Sequence, residues 1–169
     1  LLIAHPRTRY VLVCADVERF AAYNARHGRE AGDELLSYLG ASLAQALPPR
    51  SVAGRVGADR FAVLAPRSLL EEAALAEALS RGPAGARCAV RMGTCEAGPG
   101  SSAPGPADAL ERALLALRAA KSERRGPRVR RFSPAMLEEA LLYQDALEGL
   151  GAAMASGGLR PAFQPVFEC

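Results

Sequence analysis

The chain has 169 residues, half of them apolar, and a formal charge of +3 at pH 7. That length supports one domain with a sizeable core plus a short extension. No apolar run is long enough to cross a bilayer and no signal-peptide pattern opens the sequence, so we expect a cytoplasmic location without membrane contact. The mild charge, with no aromatic residues among the arginines of 124–131, argues against a nucleic-acid partner.

The four cysteines, Cys14, Cys88, Cys95 and Cys169, form no Cys-x-x-Cys pair and are accompanied by no paired histidines. A zinc site is therefore not expected. Three of them lie in apolar, strand-like segments, where a free cysteine behaves as a small hydrophobic residue. We expect reduced thiols in the core.

Apolar periodicity and breaker residues divide the first 132 residues into alternating strands and helices. The predicted elements are, in chain order, a buried strand at 10–17, helices at 18–26 and 30–47, a hairpin of strands at 51–56 and 60–65, a helix at 69–79, a strand at 86–95, a helix at 107–121 and a short strand at 128–132. This order predicts an α/β fold of the α+β sandwich type, in which helices cover a central, mostly antiparallel sheet.

The pattern changes after residue 132. Ser133-Pro134 is a helix start, an apolar stripe continues to about Met154, and Gly157-Gly158 ends the helix. A strand predicted at 159–167 has no obvious partner in the chain. The sequence therefore divides into a domain at 1–132, a connector helix at 133–158 and, at 159–169, the first strand of a further domain.

Four polar residues are placed where they can bind a ligand. Asp16 ends a buried strand and can point at a ligand or metal beside the sheet edge. Asn24 and Asp33 flank the turn at 28–32, where an amide and a carboxylate can grip the edge of a purine. Asp59 lies at a hairpin tip and can bind a divalent cation. Plainer roles remain open: a helix N-cap for Asp16, a C-terminal cap for Asn24 and a solvated position for Asp33.

A basic cluster follows the last helix of the domain. Lys121, the only lysine of the chain, closes that helix, and Arg124 and Arg125 follow it closely. These side chains can neutralise phosphates. Arg128 is a further candidate for a phosphate contact, and a solvated turn is the plainer interpretation of the whole cluster.

The order and spacing of these residues resemble the GGDEF family. That family has an Asp-x-Asp-x-Phe-Lys-x-x-Asn-Asp segment, then Gly-His-x-x-Gly-Asp, then an Arg-x-Gly-Gly-Asp-Glu-Phe hairpin. The run at 11–36 is similar to the first two motifs, and Arg55, Gly57, Asp59 and Phe61 match the hairpin. The resemblance covers about residues 10–132, and the family's usual leading helix is missing, so the N-terminus is expected to be truncated.

The resemblance implies a site for GTP and magnesium. Family members make cyclic diguanylate from two GTP molecules held in an antiparallel dimer, which makes a homodimer an expected partner. By position, the metal residues would be Asp16, the backbone of Val17 and Asp59, with Asp59 also activating the 3′ hydroxyl. The nucleotide-binding residues would be Asn24 and Asp33 on the guanine edge, Lys121 on the triphosphate, and Gly57 and Ala58 in the hairpin.

The hairpin departs from the family at two positions, and both bear on the expected catalytic activity. Arg60 replaces the metal-binding glutamate, and Ala58 replaces the second glycine, which crowds the approach of the nucleotide. Arginine cannot coordinate magnesium and adds a positive charge. Two unit charges about 4 Å apart interact by roughly 4 kcal/mol at an effective dielectric of about 20, so an attraction is exchanged for a repulsion of similar size. Ala21, Ala25 and Arg29 replace three further motif residues.

The cyclase reaction is therefore expected to be lost. Arg60 has two possible roles in its place: its guanidinium partly substitutes for a cation and binds GTP without metal, or it simply faces solvent. The segment 159–167 resembles the first strand of an EAL phosphodiesterase domain, although the metal ligands of that domain are absent here.

Three hypotheses follow for the function. The first is a catalytically inactive GGDEF domain that binds GTP and regulates a downstream EAL domain. The second is a ligand-free module for dimerisation or signal relay. The third is a weak diguanylate cyclase, for which Asp16 and Asp59 are the supporting residues.

Overall fold

The computed structural model describes residues 7–101, 105–123 and 128–158. The elements are, in chain order, β1 (Tyr10–Val17), α1 (Phe20–His27), α2 (Arg29–Ala46), β2 (Val52–Arg55), β3 (Arg60–Pro66), α3 (Glu72–Ala78), a short 3-10 turn (Pro83–Gly85), β4 (Val90–Ala97), α4 (Pro106–Ser122), β5 (Val129–Arg131) and α5 (Pro134–Ala155). The described part of the chain thus follows the predicted order of strands and helices.

The five strands form one sheet in the order β2-β3-β1-β4-β5. All neighbouring strands are antiparallel except β4 and β5, which run parallel. This confirms the predicted α+β fold with a mostly antiparallel sheet. β1 is the central strand, and it reads as a nearly continuous apolar run because helices cover both of its faces.

Alternation along β1 assigns its side chains to two layers. Val11, Val13, Ala15 and Val17 pack in one cluster with the buried leucines of α2 and α3. Cys14 belongs to the second cluster, with Ala113 and Leu117 of α4, among others. Asp16 has the same parity as Cys14, so its side chain lies on the face covered by α4.

α4 lies against the sheet at unusually short range. A Cβ atom added to Gly93 of β4 would lie 2.1 Å from the backbone nitrogen of Leu117 and 2.2 Å from the carbonyl oxygen of Ala113. Ala113, Ala116 and Ala120 are fully buried along this contact. Small residues on the helix and a glycine on the strand therefore set where the end of α4, with Lys121, lies over β1.

The strand predicted at 86–95 corresponds to β4. It begins four residues later than predicted, at Val90, and ends two residues later, at Ala97. The residues before Val90 pair elsewhere: Arg81 and Arg87 form an isolated bridge, and the Cys88 amide donates to the Ser80 carbonyl at 3.1 Å. Pairing with β1 starts only at Val90, opposite Val17. This long-range pairing is not visible in the local alternation.

α5 is a 22-residue helix without a buried residue. Its contacts with the domain are made to α4. It exposes a series of large apolar side chains, of which Leu142 (70% exposed) is an example; the others are Leu137, Leu141, Tyr143, Leu147, Leu150 and Met154. No helix in the described ranges combines the length and apolarity needed to span a bilayer. The strand predicted at 159–167 lies outside the described residues.

The three described cysteines are free, with Cys14 and Cys95 buried and Cys88 half-buried. Burial raises the pKa of the Cys14 thiol from its ordinary 9.0 to about 11, against a smaller lowering by the charge of Arg60. Such thiols are neutral core groups at physiological pH. Cys169 lies outside the described residues.

Candidate functional site

The centre of the candidate site is the carboxylate of Asp16, which is 3% exposed and carries a cation on each oxygen. The Nη2 atom of Arg60 lies 3.5 Å from Oδ2, and the Nζ atom of Lys121 lies 2.5 Å from Oδ1. A buried carboxylate is costly unless it is paired, and here both oxygens are engaged. The N-cap role considered for Asp16 is wrong, because helix α1 has no side-chain cap at its N-terminus.

Strand register brings these groups together. Asp16 lies directly opposite Arg60 in the antiparallel pair of β1 and β3. Side chains at opposed positions share one face of a sheet, so the two face each other across the strands. Lys121 reaches the same carboxylate from the last turn of α4, where a cation is also favoured by the helix dipole. One carboxylate and two cations leave the cluster with a formal charge of +1.

Two consecutive backbone amides fix the loop after β1. The Val17 amide donates to the carbonyl oxygen of Asp59 at 3.2 Å, and the Glu18 amide donates to the carbonyl oxygen of Ala89 at 2.8 Å. The hairpin turn is thereby attached to the end of β1. The structure thus brings together Asp16, Val17, Asp59, Arg60 and Lys121, all of which the sequence placed at one site.

These residues fit a magnesium ion poorly. A hard dication needs free oxygen ligands, and both oxygens of Asp16 are taken by Arg60 and Lys121. Asp59, which precedes Arg60 in the chain, is half-buried. Within the described ranges, no three His, Cys, Asp or Glu side chains are grouped so that they could hold a metal ion.

The hairpin turn is closed by its own arginine. The Nε atom of Arg55 donates to the carbonyl oxygens of Gly57 and Ala58, each at 3.0 Å, and its Nη2 atom also donates to Ala58. Both turn residues are exposed. The matched arginine of the motif therefore shapes the turn through backbone carbonyls, a role that the spacing of the motif does not reveal.

The second half of the candidate site lies between α1 and α2. Gly28 joins these helices with φ +90°, a conformation that favours glycine. The side-chain oxygen of Asn24 is buried and has no hydrogen-bond partner among the described residues. A Cβ atom on Gly32 would lie 1.9 Å from that oxygen, so α2 leaves room for the Asn24 amide only because residue 32 is glycine. Asp33, the next residue, is exposed.

These contacts exclude one role considered for Asn24, that of a side-chain cap at the C-terminus of α1. The C-terminus of α1 is closed by the Gly28 amide, which donates to the backbone oxygen of Asn24 at 2.9 Å. The Asn24 side-chain oxygen makes no such bond. The cap is therefore a backbone contact, and the Asn24 side-chain oxygen is buried without a partner among the described residues.

The basic cluster after α4 is only partly described. Arg124 and Arg125 lie outside the described residues. Arg128 donates from Nη1 to the Ser80 hydroxyl at 2.7 Å.

Another ion pair near the site, between Arg91 and Glu18 at 3.0 Å, was not predicted from the sequence. Arg91 of β4 lies directly opposite Asp16 of β1. Alternation along the two strands, combined with their correct register, would have placed Arg91 on the same face as Asp16.

The family model described as "Diguanylate cyclase, GGDEF domain" matches residues 2–126. The match covers most of the chain, which therefore belongs to the GGDEF family. A curated relative, the "Uncharacterized protein YhcK" of Bacillus subtilis (strain 168), is 35% identical over 69 residues. That match spans 41% of this chain and only 19% of the relative.

Solved structures agree with the fold. An EAL/GGDEF domain protein from M. capsulatus is 28% identical, with a TM-score of 0.63, over 79% of this chain and 92% of the other. The GGDEF domain of PA1120 (TpbB or YfiN) from Pseudomonas aeruginosa has a TM-score of 0.65 over 83% of this chain and 86% of the other. At 24% identity the latter supports the fold alone. The chain is thus a GGDEF domain of the kind found in cyclic diguanylate signalling proteins.

Proposed function

We propose that this GGDEF domain has lost cyclase activity, binds GTP and regulates a downstream EAL domain in the cytoplasm. The observation that carries the proposal is the pairing of Asp16 with both Arg60 and Lys121. The chain's own cations neutralise the carboxylate that corresponds to the family's metal ligand, and the sequence retains Asn24 and Asp33 at the positions that correspond to the family's guanine contacts.

Loss of the cyclase reaction follows from charge. The family reaction depends on metal ions that stabilise the attacking and leaving oxygens. Arg60 stands where the family has a metal-binding glutamate, and its guanidinium lies 3.5 Å from the remaining Asp16 carboxylate. A dication at this carboxylate would meet a fixed positive charge at short range, which costs several kcal/mol.

Retained nucleotide binding is supported by Asn24 and Asp33. Guanine presents N–H donors and a carbonyl acceptor on one edge, and a carboxylate with an amide complements that edge. A buried polar atom without a partner is uncommon in native proteins, and the Asn24 oxygen is one. A base bound beside Asn24 would supply the missing donor once the buried oxygen turns away from Gly32 and toward it.

A regulatory role is supported by the parts that follow the domain. The 28%-identical neighbour from M. capsulatus is an EAL/GGDEF domain protein. The helix α5 leads from the GGDEF domain toward the segment at 159–167, which resembles an EAL strand. The exposed apolar side chains of α5 favour one alternative, a ligand-free module for dimerisation or relay.

Calorimetric titration with GTP tests the proposal. Asn24→Ala and Asp33→Ala should each weaken binding by about tenfold or more, because each removes a hydrogen bond to the base. Asp145→Ala on exposed α5 makes the same type of change away from the site and should bind like the unmodified chain. ATP, which presents the opposite donor pattern, should bind more weakly than GTP. Absence of binding heat under all conditions would refute GTP binding and favour the ligand-free alternative.

A further inference from the structure

We propose that Arg60 and Lys121, positioned by Asp16, take the place of the divalent cation and form a metal-independent site for the triphosphate of GTP. The inference rests on the proposed function, since it concerns how a bound nucleotide is held. It differs from simple loss of the metal site, because it assigns a binding role to the arginine that replaced the glutamate.

The geometry of the cluster separates anion from cations. Asp16 is 3% exposed, whereas the side chains of Arg60 and Lys121 are 39% and 43% exposed. The carboxylate is therefore hidden behind its two partners, and the accessible side of the cluster is positive. A ligand approaching from solvent meets a guanidinium and an ammonium group first, both of which bind phosphate oxygens.

Arg60 retains donors for such a ligand. A guanidinium has five N–H donors. The hydrogen bond to Asp16 uses Nη2 and is long, at 3.5 Å. The Nε atom is buried and has no hydrogen-bond partner among the described residues. The contact with Asp16 thus orients the guanidinium through Nη2, which is one of its three nitrogens.

The charge that Arg60 adds to the site, relative to a glutamate, equals the charge of the magnesium ion that it would replace. Exchanging a glutamate for Arg60 raises the formal charge of the site by two, which is the charge of one magnesium ion. With the glutamate, the corresponding trio would have two carboxylates and one lysine and would be negative. Asp59 of the turn adds one negative charge in either case, so the four charged side chains sum to zero with Arg60 and to −2 with the glutamate. A site of charge −2 needs a dication to accept a triphosphate, whereas with Arg60 the exposed guanidinium and ammonium groups can meet the metal-free triphosphate directly.

Rigid elements hold the two cations. Arg60 is fixed by its register with Asp16 and by the bond from the Val17 amide to the Asp59 carbonyl. Lys121 is carried by α4, whose close contact at Gly93 sets its height above the sheet. Such preorganisation reduces the entropy lost when the triphosphate binds.

The test is a GTP titration in excess EDTA and again in millimolar magnesium. For the unmodified chain, the dissociation constant should differ by less than about threefold between the two conditions. Arg60→Glu should bind GTP about tenfold or more weakly in EDTA and regain affinity with magnesium. Arg50→Glu makes the same charge change on the exposed loop before β2, at the far end of that strand from the hairpin turn, and should behave like the unmodified chain. A Mn²⁺ titration without nucleotide should show binding only to Arg60→Glu.

Each outcome has a distinct meaning. GTP binding that requires magnesium in the unmodified chain would overturn the inference and leave the proposed function intact. Absence of GTP binding in both conditions would overturn both. Unchanged binding of Arg60→Glu in EDTA, or Mn²⁺ binding by the unmodified chain, would also overturn the inference. If thermal melting shows that Arg60→Glu is unfolded, Arg60→Gln, which removes the charge without adding a carboxylate, should show the same weakening in EDTA.

Discussion

Cys14 and Asp16 are alternate residues of the central strand β1 and lie on the same face of it, but their side chains are buried in different environments. The carboxylate is buried with two cations, whereas the thiol, which is 0% exposed, is buried as a neutral group among apolar neighbours. Burial raises the pKa of Cys14 to about 11 despite the nearby charge of Arg60. Ionising this thiol therefore opposes folding.

The stability of the domain should fall in alkali partly because of Cys14. The folded thiol ionises near 11 and the unfolded thiol near 9.0, so its contribution is complete below pH 9.0 and is lost as the pH rises toward 11. Urea unfolding at pH 8 and pH 10.5 should show a loss about 2 kcal/mol greater for the unmodified chain than for Cys14→Ala. Other alkaline titrations affect both proteins equally. Equal pH dependence of the two proteins would contradict the assignment.

The residues of the site were predictable to different degrees. Motif spacing predicted that Lys121 lies near Asp16, as the structure shows, because this spacing reflects the helix that carries the lysine. The binding roles that the same spacing gives to Asn24 and Asp33 stay predictions. The direct pairing of Asp16 with Arg60 was not predicted, because it depends on the register of two strands that are distant in sequence. The role of Arg55 in closing the turn was missed for a similar reason, since its partners are backbone carbonyls without a side-chain signature.

At the scale of the elements, the contact of β4 with α4 leaves no space for a side chain at Gly93. The atoms nearest to a Cβ on Gly93 belong to the backbone of α4, at Ala113 and Leu117, and cannot rotate away. A side chain there must push the helix outward. Because Lys121 is at the end of that helix, displacement of α4 also moves its ammonium group relative to Asp16.

Gly93→Ala should therefore destabilise the domain by about 3 kcal/mol or more, as expected for severe overpacking against backbone. Gly54→Ala is the matched control, because that strand glycine has no atom within 4 Å of its added Cβ. Its effect should stay within about 1 kcal/mol. Urea unfolding of both variants measures the difference, and similar stabilities of the two would show that α4 is not held by this contact.

The elements themselves were predicted well where the signal is local. Helical periodicity placed α1, α2 and α4 within two residues of their ends and α5 within three. The predicted bounds of β4 were wrong, because the start of this strand is set by the pairing of Val90 with Val17. α3 begins at Glu72, three residues later than predicted, after a turn in which the Leu69 amide donates to the Pro66 carbonyl.

The molecule as a whole combines the GGDEF fold with a buried carboxylate, that of Asp16, which is paired with Arg60 and Lys121. The charged cluster and the core are separate features, because the two apolar layers contain none of the side chains of Asp16, Arg60 and Lys121. Family membership therefore establishes the architecture here, and the charge arrangement at Asp16 bears on the reaction.

Incubation with GTP and magnesium should yield no cyclic diguanylate above a protein-free blank. We expect product only when Arg60→Glu and Ala58→Gly are combined with Ala21→Lys, which restores the phosphate-facing lysine of the family motif. Chromatography of the reaction mixture measures the product. Product from the unmodified chain that disappears in Asp59→Ala would refute the loss of activity.

The two consecutive amides at the end of β1 also give the site a measurable timescale. The Val17 proton is released to solvent only when the hairpin turn at Asp59 detaches, and the Glu18 proton only when the segment at Ala89 detaches. Hydrogen exchange at these neighbouring positions therefore reports two separate opening motions. A ligand that stabilises the hairpin turn should slow hydrogen exchange at Val17 and leave the exchange rate at Glu18 unchanged. The two rates together therefore show whether a nucleotide stabilises the hairpin turn or the segment at Ala89.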